Sequence, residues 1–570
     1  MSSSPRDHRA SLEPAIAMRM EPLRLALQGA ADRMQSAMMR AAVSSIAREG
    51  GDCAAALFLP DGRLLAQARS LPLLLGSLIP AVAGVLARFP AGTMRNGDGF
   101  LLNDPWSGGT HLPDIALVHP VFDGRELIAL AATSLHHQDV GGMAAGSIPP
   151  DATEIHQEGL RLPPVRWRDA AGVLPDIDAI LGANTRTPAN LRGDLEAQWT
   201  ALAQGARELR QIARHTGERF AAVCEALLAQ SADMTRAALA AAPDGEWRWQ
   251  DQLDGGDDAQ AAPIVIAVRL HKQGEAITLD FEGSSPQVRA PLNASAAAML
   301  SAALFFMRTL APQAPNNAGC LAPLTLRLPP GSVVNPDWPA AVNARTATVK
   351  LACNAVLGAW AQATGAQGEG VAPHAGVATV LALSGSRGDG RRWMFTEIIA
   401  SGAGASATAP GRAGVSTDVG NARNTPIEVI EAEAPLRLLQ YAIRRGSGGA
   451  GAQAGGDGVR REYLLLDGEG WIAYRGERHR SQARGAQGGG TGASASARLL
   501  HADGRVQPLA ARSRVRWQAG DRLLIETAGG GGWGAVAADA AAAGAASPSL
   551  MSPTPSPSSS FHPDPRQECP

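Results

Sequence analysis

The sequence is poor in cysteine and aromatic residues, and no basic segment is present. Its 570 residues include only five Cys, without a CxxC pair. We therefore expect free thiols, a reducing cytoplasmic location and no zinc site built from cysteine. Aromatic residues make up 4% of the chain and the formal net charge is −2. A basic surface with interleaved aromatics, as nucleic-acid binding requires, is therefore not expected.

Long apolar segments are also missing. The first twenty residues contain no apolar core of a signal peptide. The most apolar stretch, residues 71–86, is interrupted by Pro72 and Pro80, and it predicts a buried strand, turn and helix rather than a membrane span. We expect a soluble protein without a membrane partner.

The hydrophobic pattern predicts a large α+β chain of several subdomains, with antiparallel sheets, a long-helix segment and glycine-rich loops. Helical periodicity begins at Glu21, a hairpin at Asp52, an antiparallel meander at Glu246 and an apolar helix at Ala294. The predicted divisions are a disordered N-terminus (1–20), an α/β region with the candidate site (21–186), a helical segment (187–245), a mixed β-rich and helical region (246–536) and a disordered tail (537–570). Residues 21–536 are expected to form one unit.

Glycine is abundant, with 64 residues, and its densest runs include TAGGGGWG near the C-terminal end. Glycine-rich loops can bind phosphates, but the sequence contains no GxxxxGK[ST] motif and no convincing GxGxxG between a strand and a helix. The runs therefore predict tight turns and close approach of backbones, rather than a nucleotide site.

Residues 101–164 contain five of the twelve His of the chain, among carboxylates, Gly and Pro. His111 and Asp114 are three residues apart, and Pro113 between them favours an extended or turning segment over a helix. Two apolar strands follow, and the second ends at His136 and His137. The segments at Asp114 and His136 could then lie side by side at strand ends, a suitable site for Zn, Mn or Fe. His, Asp and Gly also cluster in ordinary loops, and His119 and His156 are expected to be structural or solvated.

The segments NDPWSGGTHLPD, HHQDVGG and GSIPPDATEIHQEGLRLPP resemble signature segments of the hydantoinase B/oxoprolinase family. This family includes the B-type subunits of ATP-dependent N-methylhydantoinases and the alpha subunits of acetone carboxylases. Further matching blocks are NTRTPANLRGDLEAQ and FEGSSPQVRAPLNAS. The resemblance implies a divalent metal ion bound by four side chains: Asp52, His111, Asp114 and His136.

The resemblance also implies roles around the metal. His137 and Asp139 are candidate catalytic acid–base or supporting groups. Arg345 is a candidate contact to an anion or substrate, and a salt bridge between helices is the alternative. The family usually has a His at the position of Leu74, and charged residues at three positions that are neutral here: Ala322, Gly446 and Ala454. These departures imply a different substrate or a weakened activity.

The implied function is that of a B-type subunit which uses its metal to open a cyclic amide, such as a lactam, a hydantoin or 5-oxoproline. A separate A-type subunit would bind ATP and activate the substrate. Three alternatives remain open: a subunit of an ATP-dependent ketone carboxylase, a non-catalytic partner stabilised by its metal, and a stand-alone metal amidohydrolase.

Overall fold

Seven strands form the first sheet of the computed structural model, which describes residues 13–255, 262–365 and 375–536. The strands are β1 (Cys53–Phe58), β2 (Leu64–Gln67), β3 (Gly99–Leu102), β4 (Asp114–Asp123), β5 (Glu126–His136), β6 (Val165–Asp169) and β7 (Gly172–Val173). Their order is β2-β1-β5-β4-β3-β6-β7, and all neighbours are antiparallel. The hairpin predicted at Asp52 is confirmed as β1–β2.

Helices cover both faces of this sheet. The helices are α1 (Pro14–Ala41), α2 (Ser45–Arg48), α3 (Pro72–Arg88), α4 (Pro175–Ala183), α5 (Pro188–Thr216), α6 (Phe220–Ala240), α7 (Ala296–Leu310), α8 (Arg345–Thr364) and α9 (Ile427–Glu433). In β1, Ala55 and Leu57 pack with α1, α5 and α6, whereas Ala56 and Phe58 pack with α3, α7 and α8. Because both faces are buried, the strand is apolar throughout instead of alternating.

Five short 3-10 turns join these elements. They span Ala91–Thr93, Ala145–Ser147, Ile155–Gln157, Gly217–Arg219 and Ala318–Leu321.

The second sheet contains β8 (Gly245–Leu253), β9 (Ile264–Gln273), β10 (Ala276–Asp280) and β11 (Leu324–Arg327), in the order β11-β10-β9-β8. The first three strands form the predicted antiparallel meander, and β11 joins β10 in parallel. The sheet packs on α8, where Trp249 lies against Gly358.

Two further sheets pack face to face. The third sheet has the order β13 (Arg392–Ile399), β12 (Thr379–Ser386), β16 (Glu469–Arg475) and β19 (Arg512–Gln518). The fourth has the order β14 (Leu436–Ile443), β15 (Val459–Leu465), β20 (Arg522–Glu526), β17 (Ser496–Leu500) and β18 (Val506–Leu509). Leu383 and Phe395 of one sheet share a core with Tyr463 and Ile525 of the other. The predicted α+β fold with antiparallel sheets is confirmed.

Three sequence expectations need correction. Helix α1 begins at Pro14 rather than at Glu21, because Pro14 is tolerated in the first turn and the helix continues through Pro22. Residues 71–86 were expected as strand, turn and helix, but all of them after the N-cap Leu71 lie in the single helix α3, with Pro72 in its first turn and Pro80 inside. The predicted helix 21–48 is interrupted after Ala41, and α2 follows.

Some predicted divisions concern residues that the structure does not describe. Residues 1–12 and the tail 537–570 lie outside the described residues. The divisions near 187 and 246 stay predictions, and contacts join the described residues between 13 and 535 into one unit. Within residues 13–255, 262–365 and 375–536, no helix is both long and apolar enough to cross a membrane.

The glycine-rich segments pack backbone against backbone. We call residues 402–405, 448–456, 485–493 and 528–534 the glycine bundle. Its central segment, 529–532, is bonded to all three others: Gly530 N–H donates to Gly456 O (2.9 Å), Gly532 N–H to Gly490 O (2.9 Å), and Gly531 O accepts from Ala405 N–H (2.8 Å). A Cβ on Gly530 would overlap the carbonyl group of Ala403. The predicted close approach of backbones is thus confirmed.

Candidate metal centre

Three residues of the candidate centre form a row across neighbouring strands. Asp114, the first residue of β4, is paired with His136, the last residue of β5. The His136 N–H donates to the carbonyl of Asp52, just before β1 (3.0 Å). Residues opposite each other in adjacent strands project from the same face. The expectation that Asp114 and His136 lie side by side at strand ends is confirmed.

His111 completes the group from the turn before β4. The Asp114 N–H donates to His111 O (3.2 Å), and this turn brings the imidazole back over the strand end. His111 Nε2 lies 2.8 Å from Asp114 Oδ1 and 3.2 Å from His136 Nδ1. The distance between Asp114 Oδ1 and His136 Nδ1 is 2.9 Å. Ligand atoms about 2.1 Å from one ion are about 3.0–3.4 Å apart at octahedral or tetrahedral angles. One of the three distances lies in this range and the other two are 0.1–0.2 Å shorter, so a small outward shift would let these atoms bind one divalent ion.

The protonation of His111 suits a metal ligand. Its Nδ1 lies 3.1 Å from the carbonyl oxygen of Asn343, so an Nδ1–H bond to that oxygen leaves the Nε2 lone pair free. Arg345 Nη1 lies 3.2 Å from the same Nδ1 and competes for it, because a guanidinium can only donate. Burial and the charge of Arg345 lower the pKa of His111 to about 3, which keeps the ring neutral.

Arg345 forms an ion pair with Asp114. From the first turn of α8, its Nη2 donates to Asp114 Oδ2, and both side chains are 3% exposed. Burial alone would raise the pKa of Asp114, but the charge of Arg345 and the hydrogen bond from His136 hold it well below its ordinary value. Oδ1 of the ionised carboxylate remains directed at the imidazoles. The observed contact is a salt bridge, so the substrate role of Arg345 stays a prediction.

Asp52 lies beside the triad rather than in it. Its Oδ2 is 3.9 Å from His136 Nδ1. Among the described residues, the group that could bind one ion consists of His111, Asp114 and His136. Burial raises the pKa of Asp52 to about 6, with a further contribution from Asp114. The role of Asp52 as a fourth ligand stays a prediction.

His137 and Asp139 are not brought to the triad. Successive residues of a strand point to opposite faces, and His137 Nε2 contacts Gln198 of α5, on the other side of the sheet (3.1 Å). Asp139 is buried and accepts from the N–H groups of Gly141 and Gly146 and from Arg186 Nη1. These contacts favour structural roles, and the catalytic roles of both residues stay predictions.

His119 and His156 also lie away from the triad. His119 Nδ1 lies 2.7 Å from the carbonyl oxygen of Asp98, and the exposed His156 packs against Trp338. These are the structural and solvated positions expected from the sequence.

A cavity of about 40 Å³ adjoins the triad and includes residues that the sequence analysis missed. Lys350 and Arg475 line it, and burial lowers the pKa of both groups, that of Arg475 to about 9. The Asn343 side chain connects two segments beside the cavity. Its Nδ2 donates to Ser147 O (2.6 Å), and its Oδ1 accepts from Arg475 Nη1. Polar residues within the apolar segment 340–360 were a usable signal for Asn343 and Lys350. No signal marked Arg475.

The fold is shared with two ATP-dependent enzymes that act on amides or ketones. The structure is similar to the ATP-dependent caprolactamase of Pseudomonas jessenii, with a TM-score of 0.82, 26% identity and coverage of 92% of this chain and 91% of that one. It is also similar to nucleotide-free acetone carboxylase, with a TM-score of 0.83, 19% identity and coverage of 91% and 76%. At 19% identity the second likeness concerns the fold alone.

The chain belongs to the hydantoinase B/oxoprolinase family, whose sequence profile matches residues 17–536. It is 31% identical over 461 residues to a putative B-type subunit of a D-/L-hydantoinase of Pseudomonas sp. (strain NS671), covering 77% of this chain and 76% of that one. It is 29% identical over 532 residues to 5-oxoprolinase 1 of Arabidopsis thaliana, covering 88% of this chain but 40% of that one. The chain thus spans about two fifths of that relative. The predicted family is confirmed.

Proposed function

We propose that this chain is the B-type subunit of an ATP-dependent hydantoinase- or oxoprolinase-like enzyme. In this role it opens a cyclic amide, such as a lactam, a hydantoin or 5-oxoproline, after an A-type subunit has activated the ring with ATP. The observation that carries the proposal is the buried triad of His111, Asp114 and His136, whose three ligand atoms lie within 3.2 Å of one another.

Some residues of the candidate centre are proposed as metal ligands, and others hold those ligands in place. His111 Nε2, His136 Nδ1 and Asp114 Oδ1 would bind a divalent ion such as Zn, Mn or Fe, with Asp52 as a fourth ligand. When bound there, such an ion would provide Lewis-acid chemistry toward a carbonyl oxygen or water. Arg345 holds the second oxygen of Asp114, and the Asn343 carbonyl favours the His111 tautomer that leaves Nε2 free.

The proposed partner follows from what the sequence lacks. Unstrained amides need an activated intermediate, and the sequence contains no GxxxxGK[ST] motif. The relative named as the B-type chain of a hydantoinase, over three quarters of which this chain aligns, supports the role of a subunit. An A-type chain would then bind the ATP.

The test is turnover of the full chain with an A-type partner, ATP and a panel of 5-oxoproline, hydantoin and caprolactam. We expect ring opening that needs ATP, and a fall of at least a hundredfold in His111→Ala. His119→Asn is the matched control, because His119 is buried on the same sheet but away from the triad. Unchanged turnover in His111→Ala would refute the proposal.

The same assay separates the alternatives. A subunit of a ketone carboxylase would fix bicarbonate onto acetone with ATP and leave the cyclic amides intact. A stand-alone amidohydrolase would open a ring without ATP. A structural partner would lose thermal stability on metal removal while turnover by the A-type chain persists.

A further inference from the structure

A second, much larger cavity lies outside the metal centre. It is a cleft of about 730 Å³, a size typical of small-molecule sites. One wall is the outer face of the third sheet, and the other is the loop after β5 together with the start of α5. We call it the arginine cleft, after three residues on its sheet wall: Arg392, Arg514 and Arg516.

Two of these arginines are positioned by a tryptophan. Arg516 is paired with Trp471 across β19 and β16, and Arg514 is paired with the next residue on that face, Ala473. The guanidinium carbons of Arg514 and Arg516 lie 4.7 and 4.9 Å from the centre of the Trp471 ring. Stacking on an aromatic ring restricts a guanidinium and leaves its N–H edge free, which is the geometry for binding a carboxylate or phosphate.

The positive charge of the cleft is not balanced within the described residues. Arg392, Arg514 and Arg516 make no ion pair there with a carboxylate within 4.0 Å, in a chain whose net charge is −2. The excess of positive charge is therefore a property of the arginine cleft and not of the whole chain.

The other charged groups of the cleft are accounted for. Arg186 is paired with Asp139 (2.9 Å). Glu433 accepts from Ser45 Oγ (2.7 Å) and lies 3.8 Å from Arg48. Glu469 is exposed at the start of β16. The cleft therefore has three arginines, and the carboxylate not yet accounted for among its lining residues is that of the exposed Glu469.

The cleft and the metal centre share one sheet face but are separate. Along β12, Ser384 lines the cleft, Ala382 packs against Ile148, and Val380 lines the cavity of the metal centre. Four strand residues span about 13 Å. Across the sheet, Arg516 is level with Ser384 and Arg514 with Ala382, and both lie two strands away from β12.

We propose that the arginine cleft binds a small organic anion, with its carboxylate or phosphate group on Arg514 and Arg516. The assignment does not depend on the metal or on amide opening. It rests on three arginines in a concave surface that form no ion pair within the described part of the chain, two of them stacked on one ring.

The test is titration calorimetry of the full-length protein with succinate and, separately, with inorganic phosphate. Uncharged succinamide serves as the isosteric ligand control. The test variant is Arg514→Gln/Arg516→Gln. The matched control is Arg437→Gln/Arg522→Gln, which removes the same charge from exposed arginines of the fourth sheet. Thermal melting establishes that both variants are folded.

We expect about one equivalent of succinate or phosphate per chain, no binding of succinamide, and affinity at least tenfold weaker in the cleft variant alone. The ligand that binds identifies the preferred anion. Failure of both anions to bind overturns the proposal. Equal weakening in the two double variants also overturns it, because the effect would then reflect net charge. Should the double variant unfold, Arg516→Gln, at an exposed position, replaces it under the same criteria.

Discussion

The sheet that carries the candidate metal triad and the glycine bundle are both buried, but the sheet packs through side chains and the bundle through backbone groups. Every residue of β1 is buried, and its side chains interlock with helices on both faces. In the bundle, Gly529–Gly532 is also buried, and its neighbours are the carbonyl and amide groups of other segments. Cores built from side chains tolerate swaps that conserve volume. A core built from backbone has no side chain to exchange.

The largest expected effect is that of Gly530→Ala. The added methyl group meets the backbone of Ala403 and Gly404, which cannot rotate away as a side chain can. We expect a loss of more than about 4 kcal/mol in the free energy of unfolding, or an insoluble chain. Urea unfolding measures it. Gly92→Ala, where no atom lies within 4 Å, should behave as the native protein does. Native-like stability of Gly530→Ala would show that the glycine bundle tolerates an added side chain, contrary to this comparison.

The next effect concerns the buried charge of Asp114, in the sheet that packs through its side chains. Arg345→Gln leaves Asp114 buried without its cation, and breaking a buried pair costs about 3–5 kcal/mol. We expect this loss in chelator and a smaller one with excess zinc, since a bound cation offsets the same carboxylate. Unfolding curves under both conditions measure it. Arg437→Gln, which removes an exposed arginine, is the control. Equal losses with and without zinc would argue against a metal at Asp114.

A smaller effect is expected at the side of the triad. Asp52→Asn keeps the shape of the side chain but removes the charge 3.9 Å from His136 Nδ1. If Asp52 is the fourth ligand, zinc affinity should fall by at least about tenfold to a hundredfold, the loss caused by removing a group that only supports a metal ligand. Competition with a chromogenic chelator measures it, with Asp61→Asn as an exposed acid away from the site. Unchanged affinity would remove Asp52 from the ligand set.

The smallest effect is expected for His137→Gln. The side chain faces α5, so we expect unchanged metal content, similar turnover with the partner and a loss of about 1 kcal/mol for the bond to Gln198. Elemental analysis and turnover measure this. A hundredfold fall in turnover with the metal retained would instead support the catalytic role predicted from the sequence.

Local patterns in the sequence were sufficient for much of the fold. Apolar runs and turn residues predicted the β1–β2 hairpin, the β8–β10 meander and the long helices. Prolines misled the prediction of α3, because burial of residues such as Leu78 and Val82 outweighs the interruption at Pro80. The glycine runs correctly predicted close backbones, but not which segments meet.

The site was predictable only where its residues are close in sequence or paired in adjacent strands. His111, Asp114 and His136 meet these conditions. The faces of His136 and His137 could not be distinguished, because β5 is apolar on both sides. Arg345 reaches Asp114 from 231 positions away, a contact that only the tertiary fold creates.

The arrangement of the glycine bundle has a consequence for biosynthesis. Its central segment, 529–532, is the last of the four to be translated, at about 5–20 residues per second. Until it leaves the ribosome, carbonyl and amide groups of the three earlier segments, such as those of Gly449, Gly456 and Gly490, lack partners that they have in the finished fold. In the nascent chain these backbone groups therefore form hydrogen bonds with water. The surface that they expose to ribosome-associated chaperones is polar backbone rather than apolar side chains.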